Sequence, residues 1–259
     1  MMIIYWLYVN TNTPVKRIIV SKSALRIVHG MFACFLSFVL LSFPVKAANP
    51  IPRSYTTPVN NIAYPKASAI SRLTSRLTLP IPVDGSYRIN GAANSRWLVK
   101  GEVAASVDGD ANAPVLNLDQ TTNEALLNWG SFNIGENATV NFNQPSANAR
   151  AINRIYQANP VQILGALKAT GQVFLINQNG FIFGSTGSVD TNSFLVSTLK
   201  MTDEVIDKGF AIVYKSNQAA FKGFIDPDTG KNLSRDIFIE EGFQANIKGE
   251  ENGRFVAIA

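Results

Sequence analysis

The apolar runs of this sequence follow one another too closely for helices to fit between them, and this spacing limits the fold more than any other feature. Between Gly171 and Leu199 three short apolar runs alternate with polar turns, and the first charge is Asp190. A parallel crossover through a helix needs about ten or more intervening residues. The spacing therefore predicts antiparallel hairpins or the coils of a β-solenoid, and it argues against βαβ units.

The strand pattern continues to the last residue. The runs that carry it are VLNLD at Val115–Asp119, ATVNFN at Ala138–Asn143, QVFLIN at Gln172–Asn177, GFIFG at Gly180–Gly184 and RFVAIA at Arg254–Ala259. One stretch departs from the pattern, because residues 147–169 space their aliphatic side chains at roughly helical intervals. That stretch predicts a short helix or turn followed by another, divided at Pro160.

Two observations favour the solenoid over hairpins, although the spacing leaves both open. The strands end at Asn, Gly and Ser without consistent two-residue hairpin turns. The outward positions hold neutral Asn and Thr, whose side chains can form ladders between stacked coils, where like charges would repel. In ATVNFN the alternation places Val140 and Phe142 inside and Thr139, Asn141 and Asn143 outside.

A solenoid predicts one continuous core and two different ends. We expect the core to contain Val140, Phe142, Val173, Leu175, Val189 and Leu195. Residues before Val115 should cap the first coil. The chain stops at RFVAIA inside an apparent coil, so we expect a fragment or a truncated gene product whose open end promotes self-association.

The first 47 residues have the pattern of an export signal. They contain no acidic residue, and basic residues precede a 13-residue apolar run at Met31–Phe43. That run is shorter than the roughly 20 residues that span a bilayer. The small residues Val45 and Ala47 predict cleavage between Ala47 and Ala48. A membrane anchor is the alternative, and the long basic region before Met31 also allows a start codon at that methionine.

Removal of this signal changes the chemistry of the remaining chain. The signal carries five of the 23 basic residues and none of the 18 acidic ones, which leaves 18 of each sign. The sequence pI of about 9.3 therefore describes the signal, and the case for nucleic-acid binding loses its main support. The only cysteine, Cys34, and the only histidine, His29, are removed too. The mature chain can form no disulfide, no serine–histidine triad and none of the usual zinc sites.

The mature chain divides into a lead-in and a domain. Residues 48–83 are rich in Pro, Ser and Thr, and this composition predicts a flexible or extended segment. The β pattern begins at Asp84, so we expect one domain at residues 84–259.

Six motifs carry a family resemblance. They are WGSFNIG, NFNQP, NRI, QILG, GQVFLIN and FG, in this order, within Leu127–Ile155 and Asn159–Leu199. Together they closely resemble the N-terminal secretion domain of two-partner-secretion exoproteins, the filamentous haemagglutinin group, over roughly Ala92–Ala259. The resemblance implies an all-β fold, a right-handed single-stranded parallel β-helix with an N-terminal cap and minor antiparallel strands outside the helix.

The resemblance also implies a partner and a route. After Sec export into the periplasm of a Gram-negative bacterium, an outer-membrane β-barrel transporter with POTRA domains would recognise the domain and pass it to the surface. It implies no catalytic residue, metal or cofactor and no nucleic acid. The residues expected to matter for export, either through recognition by the partner or through formation of the coils, are Asn153, Arg154, Asn177, Gln178, Asn179 and Gly180.

The chain departs from the family pattern at two positions. Gln178 stands where proline is usual, and Val161 stands where serine is common. Because proline presets φ in a type I turn, this turn must form through its neighbours, and we expect Gly180 to take a positive φ.

Other functions remain open at this stage. A β-helix enzyme of pectate-lyase type would cluster carboxylates, for which the candidates are Asp108 with Asp110 and Asp226 with Asp228. Both pairs fit loops or turns more simply. A stand-alone adhesive surface protein is a further alternative. In the family that this chain resembles, the secretion domain is followed by a long repetitive segment, the passenger. The passenger acts as an adhesin, a haemolysin or a contact-dependent toxin on a host or neighbouring cell.

The leader yields a testable expectation. We expect the exported protein to begin at Ala48, because Val45 and Ala47 occupy the −3 and −1 positions of a signal-peptidase site. N-terminal sequencing of exported material measures this directly. A mature terminus before Met31 would show that the assignment is wrong.

Overall fold

A computed structural model of the chain describes residues 5–7, 18–20, 75–85, 96–208, 220–249 and 253–259. The described residues form β-strands almost throughout, with one short helix, α1 (Asp203–Lys208). The strands are β1 (Tyr5–Leu7), β2 (Ile18–Val20), β3 (Ile81–Pro82), β4 (Leu98–Lys100), β5 (Val103–Asp110), β6 (Ala113–Gln120), β7 (Glu124–Ser131), β8 (Thr139–Asn143), β9 (Arg150–Ile155), β10 (Val161–Ile163), β11 (Ala166–Ala169), β12 (Gln172–Ile176), β13 (Phe181–Phe183), β14 (Ser188–Thr191), β15 (Ser193–Ser197), β16 (Lys200–Met201), β17 (Phe221–Lys222), β18 (Ile237–Ile239), β19 (Gln244–Ile247) and β20 (Phe255–Ile258).

Three parallel sheets run along the stack, and the chain visits them in a fixed order. Sheet C holds β6, β8, β11, β14 and β19; sheet A holds β7, β9, β12, β15 and β20; sheet B holds β10, β13 and β18. Coils 2 to 4 pass from sheet C to sheet A to sheet B, whereas coils 1 and 5 have strands in sheets C and A. Coil 1 is β6–β7, coil 2 is β8–β10, coil 3 is β11–β13, coil 4 is β14, β15 and β18, and coil 5 is β19–β20. The predicted parallel β-helix is confirmed, and its right-handed sense stays a prediction.

The register between coils places apolar side chains of one coil on those of the next. Leu116 lies opposite Val140, Val140 opposite Leu167, and Leu167 opposite Val189. All four are 0 to 1% exposed and belong to one apolar cluster that fills the interior. The same cluster contains Phe142, Val173 and Leu175, so five of the six expected core residues are confirmed there: Val140, Phe142, Val173, Leu175 and Val189.

The sixth expected core residue, Leu195, is on the other face of its strand. It belongs to a second apolar cluster outside the helix, whereas its neighbours Phe194 and Val196 point into the interior. The prediction was wrong because the three central residues of β15, Phe194, Leu195 and Val196, are all apolar, so alternation could not tell its faces apart.

The helical interpretation of residues 147–169 was also wrong. This stretch forms strands β9, β10 and β11, and Pro160 lies in the turn before β10. Its aliphatic spacing resembled a helix because strands of three different sheets follow one another with short turns between them. Hydrogen bonds to the coils on either side overrode the local pattern.

The outward face of sheet C carries the expected ladder of amides. The Asn141 side chain donates to Oδ1 of Asn117 at 2.8 Å, and Asn143 donates to Oδ1 of Asp119 at 2.6 Å. In both pairs the residues are 24 positions apart, which is one coil. The outward placement of Thr139, Asn141 and Asn143 is confirmed, since none of them is fully buried.

Antiparallel strands cap the first coil, as expected. β5 pairs with β6 as a hairpin, and β3 and β4 pair with β7. Trp97 of the cap is fully buried, with its ring 5.7 Å from that of Trp129. Residues 75–83 also join the cap: the Gly135 N–H donates to the Thr78 carbonyl at 2.9 Å, and Arg76 pairs with Glu136 at 3.0 Å. Residues 75–83 therefore contact the stack, and the domain boundary at Asp84 stays a prediction.

A segment between β15 and β18 leaves the helix and covers the outer face of sheet A. We name its described residues, 199–208 and 220–222, the strap; β16 and β17 pair antiparallel in it, and α1 follows β16. Its apolar residues are Leu199, Met201, Val205, Ile206 and Phe221. They pack on Leu126, Ile152, Phe174, Ile176, Leu195, Val256 and Ile258, which we name the outer stripe. The strap contains the antiparallel strands expected outside the helix.

Two strands lie within the stretch interpreted as an export signal. By their backbones, β1 pairs antiparallel with β20 and β2 pairs antiparallel with β18. The predicted cleavage site at Ala47 and Ala48, and most of the lead-in, lie outside the described residues. Across the described part of the chain, none of the helices has the length and apolar character needed to cross a bilayer.

A matched pair of leucines tests the position of the core. Leu175 is fully buried inside the helix, whereas Leu233 is 40% exposed in a loop. We expect Leu175→Ala to lower the free energy of unfolding by about 2–5 kcal/mol, because it leaves a cavity. Leu233→Ala should change it by about 0.5 kcal/mol. Urea denaturation of the purified chain measures both; equal losses would contradict the interior placement of Leu175.

Candidate functional site

The turn from sheet A to sheet B in coil 3, Asn177–Gly180, forms the corner that the sequence singled out. The Asn177 side-chain oxygen accepts the Asn179 N–H at 2.6 Å, and the Gly180 N–H donates to the Asn177 carbonyl at 3.4 Å. Gly180 has a φ of 95°, so its expected positive φ is confirmed. The turn at Gln178 thus forms without proline, because Asn177 supplies the constraint through its own side chain.

The two asparagines of this corner also fasten it to coil 2. The Asn177 amide donates to the Ile155 carbonyl at 3.2 Å and to the Gln157 carbonyl at 3.3 Å. The Asn179 amide donates to the same Gln157 carbonyl at 2.9 Å. A backbone carbonyl at a turn has no ladder partner, so these amides satisfy groups that the β-helix leaves unpaired.

Gln157, at the corresponding corner of coil 2, is the residue that sequence reasoning missed. Its side-chain oxygen accepts the Phe132 N–H at 2.7 Å, and its amide donates to Oδ1 of Asn133 at 3.1 Å and to the Pro160 carbonyl at 2.9 Å. Through its backbone it joins coil 3 as well. The available signal was an amide recurring one coil apart, since Gln157 lies 24 residues after Asn133 and 22 before Asn179.

Asn153 lies inside the β-helix and is not accessible at the surface. It is fully buried between Leu127 and Leu175 in the register of sheet A. Its oxygen accepts the Trp129 indole N–H at 2.8 Å, and its amide donates to the Ala151 and Phe174 carbonyls at 3.1 and 3.2 Å. A buried amide with all of these partners fixes the register of coils 1 to 3.

Arg154 follows on the outer side of the same strand. Its Nε donates to Oδ1 of Asn128 at 2.9 Å, and the side chain is half-buried. Arg154 lies opposite Ile176, the residue before Asn177, so the structure gathers all six expected residues at the ends of β9 and β12. Three are buried, namely Asn153, Asn177 and Gly180, and three are partly exposed, namely Arg154, Gln178 and Asn179.

The turn from sheet C to sheet A uses buried amides in the same way. Gln144, from the NFNQP motif, donates to the Ala149 and Gln172 carbonyls at 3.1 Å and accepts the Gly171 N–H at 2.8 Å. Gln120, one coil earlier, donates to the Arg150 carbonyl at 3.1 Å. The polar motif residues at both kinds of corner thus hold neighbouring coils together.

The aspartates considered for an enzyme make local contacts. Asp108 accepts from the Asn117 amide at 2.6 Å, and Asp110 accepts the Asn112 N–H at 2.6 Å at the tip of the β5–β6 hairpin. Asp226 accepts the N–H groups of Asp228 and Thr229 at 2.9 and 3.0 Å, and these bonds lower the pKa of its carboxyl. These bonds define a side-chain-stabilised turn at Asp226. Within the described ranges, no three acidic, Cys or His side chains are grouped to hold a metal ion.

Comparison with known proteins gives consistent results. The family model of the TPS secretion domain matches residues 92–237. A heme/hemopexin-binding protein of Haemophilus influenzae strain Rd is 32% identical over 168 residues, which are 61% of this chain and 18% of that protein. Another heme/hemopexin-binding protein of Haemophilus influenzae is 36% identical over 86 residues, covering 33% of this chain and 9% of that protein.

Among solved structures, the crystal structure of the HMW1 secretion domain from Haemophilus influenzae is 35% identical. It aligns with a TM-score of 0.38 and covers 43% of this chain and 28% of that chain. The chain spans less than a fifth of the length of the two curated relatives.

Substitution of Asn153 tests whether buried amides hold the coils. We expect Asn153→Ala to lower the free energy of unfolding by about 1–3 kcal/mol, because the Trp129 indole and two carbonyls lose a buried partner. Asn143→Ala is the matched control, since Asn143 is exposed and bonds only outside the helix. Urea denaturation followed by tryptophan fluorescence compares them; equal effects would contradict the role assigned to Asn153.

Proposed function

We propose a role in export for this chain on the premise that it belongs to the TPS secretion domain family. The match at residues 92–237 carries this conclusion, because it contains β4 of the cap, coils 1 to 3 and the strands β14 and β15 of coil 4. The chain includes the secretion domain of a large exoprotein, and the partner of such a domain is the outer-membrane transporter of a two-partner system.

The finer route is part of the proposal. The transporter would be a β-barrel with periplasmic POTRA domains, reached after Sec export, and the product would be secreted or displayed on the surface of a Gram-negative cell. The basic, acid-free leader with its 13-residue apolar run supports export. Each coil that folds outside the cell buries apolar side chains on the previous coil. This burial would make transport across the outer membrane directional without ATP.

The corner region divides into residues that a folded partner contact could use and residues that act through the fold. Arg154, Gln178 and Asn179 are partly exposed, which supports direct recognition. Asn153 and Asn177 are 0 and 1% exposed, so a transporter would meet their side chains only before the coils form. We assign contact to the first group and support of the corner to the second.

An enzymatic role has less support. The two aspartate pairs lie on different elements, the cap hairpin and the loop before β18, and each accepts local hydrogen bonds. A pectate-lyase-like site needs carboxylates that converge on one substrate. We therefore propose that the domain is not an enzyme.

The activity of the whole exoprotein is a separate proposal. Adhesin, haemolysin and contact-dependent toxin remain the candidates, with a host or neighbouring cell as the target. The two curated relatives are described as heme/hemopexin-binding proteins, and ligand binding by the exoprotein is a further candidate on that similarity. A stand-alone adhesive surface protein stays an alternative.

Export with and without the transporter tests the proposal. The chain would be expressed with its signal and a two-partner transporter in an outer-membrane host, and exported protein would be measured by immunoblot of the medium and cell surface. We expect export only when the transporter is present. Equal export without it would contradict the function.

Alanine variants at the corner test the residues. We expect Arg154→Ala, Gln178→Ala and Asn179→Ala to reduce export while leaving the β-sheet circular dichroism unchanged. Asn141→Ala is the matched control, because its amide bond lies on the outer face of sheet C. Loss of export together with loss of the circular dichroism signal would assign the residue to the fold. Normal export of all three variants would remove the corner from recognition.

A further inference from the structure

The buried apolar residues in the described part of the chain form two separate clusters. One fills the β-helix and is formed by the inward side chains of sheets A, B and C with those of the cap. The other lies between the outer stripe and the strap. Because the interior cluster includes no strap residue, the parallel stack can bury its core without the strap.

The outer stripe runs across all five coils in register. Leu126 lies opposite Ile152, Ile152 opposite Phe174, Phe174 opposite Leu195, and Leu195 opposite Val256. These residues are no more than 8% exposed, and the strap is the second layer of their cluster. Without the strap they would form one continuous apolar band on the surface. Soluble monomers seldom expose bands of that kind, because they drive association.

The order of the chain makes the strap a late element. Leu126, Ile152 and Phe174 belong to coils 1 to 3, which precede the strap in sequence. The strap then interrupts coil 4 between β15 and β18. The stripe is therefore complete across four coils before the segment that covers it begins.

The polar contacts of the strap differ from the amide hydrogen bonds that join the coils. The backbones of β16 and β17 pair with each other, and the backbone N–H of Thr202 donates to the Ala220 carbonyl at 3.0 Å within the strap. Toward the stack, the Lys100 ammonium of the cap donates to the Ile206 carbonyl of α1 at 3.1 Å and to Glu124 at 2.7 Å. A cation at the last turn of a helix satisfies a carbonyl without an intrahelical partner and favours the helix dipole.

We infer that the strap is a separable closing element, which docks on the outer stripe after the coils have stacked and thereby keeps the domain from self-associating. Opening leaves the parallel stack folded and exposes the stripe. Closing buries the stripe, and the closed state is stabilised by apolar packing and by the hydrogen bond from Lys100 to the Ile206 carbonyl.

One substitution on the strap separates the two states. Val205, in α1, is 2% exposed in the outer cluster, so Val205→Asp would place a charge there, and opening costs less than burying it unpaired. We expect the variant to keep its β-sheet circular dichroism, to bind the dye ANS several-fold more, to lose protease resistance in the strap and to sediment as oligomers. Lys100→Met should show a smaller increase in ANS binding, because it removes the hydrogen bond to the Ile206 carbonyl and leaves the apolar packing of the strap in place.

Two controls fix the interpretation. Val107→Asp introduces the same charge at a position that is 51% exposed, and it should behave as the unmodified chain. Val140→Asp introduces it into the interior, and it should abolish the β-sheet signal. If Val205→Asp loses the β-sheet signal as Val140→Asp does, the strap is not separable and the inference fails.

An unperturbed measurement completes the test. In hydrogen exchange of the unmodified chain, amides of β16, α1 and β17 should exchange about tenfold or more faster than those of β9 and β12, because the strap opens without unfolding the stack. Equal exchange rates, or a Val205→Asp variant that stays monomeric with unchanged ANS binding, would overturn the inference. None of these outcomes depends on the transporter, so the secretion role is tested separately.

Discussion

In-register parallel stacking is the constraint on which the rest of the structure depends. Each strand of coils 2 to 4 in sheets A and C bonds to the equivalent strand of the coil before and the coil after, so every side chain lies beside its counterpart. Apolar side chains accumulate into the interior cluster, and outward asparagines form a ladder. Like charges at such positions would stack on one another and repel; the outer face of sheet C holds Asn117 and Asn141 in adjacent coils, and further along Lys168 lies opposite Asp190, a pair of opposite charge.

Stacking also creates the problem that the corner amides solve. Where the chain turns between sheets, backbone carbonyls leave the ladder and need another donor. Gln157, Asn177 and Asn179 supply it at one corner, and Gln144 supplies it at another. Gln144 and Asn177, which belong to the motifs of the secretion-domain family, thus have a structural role. We propose that a partner contacts the neighbouring side chains that remain exposed.

Sheet A differs from sheet C because both of its faces are covered. Its inner face fills the helix, and its outer face carries a stripe that the strap buries. Three of its strands, β12, β15 and β20, accordingly carry runs of three or four consecutive apolar residues, as expected for strands buried on both sides. The strap and the residues that we propose for recognition depend on the same stack but lie on different parts of it. The strap covers the outer face of sheet A, and the proposed recognition residues lie at the corners after β9 and β12.

The sequence by itself determined the all-β class, the coil spacing, the outward asparagines, the cap and the turn at Gly180, because these follow from local pattern and from family motifs. It could not determine the face of Leu195, since three consecutive apolar residues in the middle of β15 leave no alternation to interpret. It misassigned residues 147–169, because helical spacing arose by chance across three sheets. The partners of Asn153 and Gln157 lie about one coil away in sequence, so only the tertiary register could decide that these amides hold neighbouring coils together.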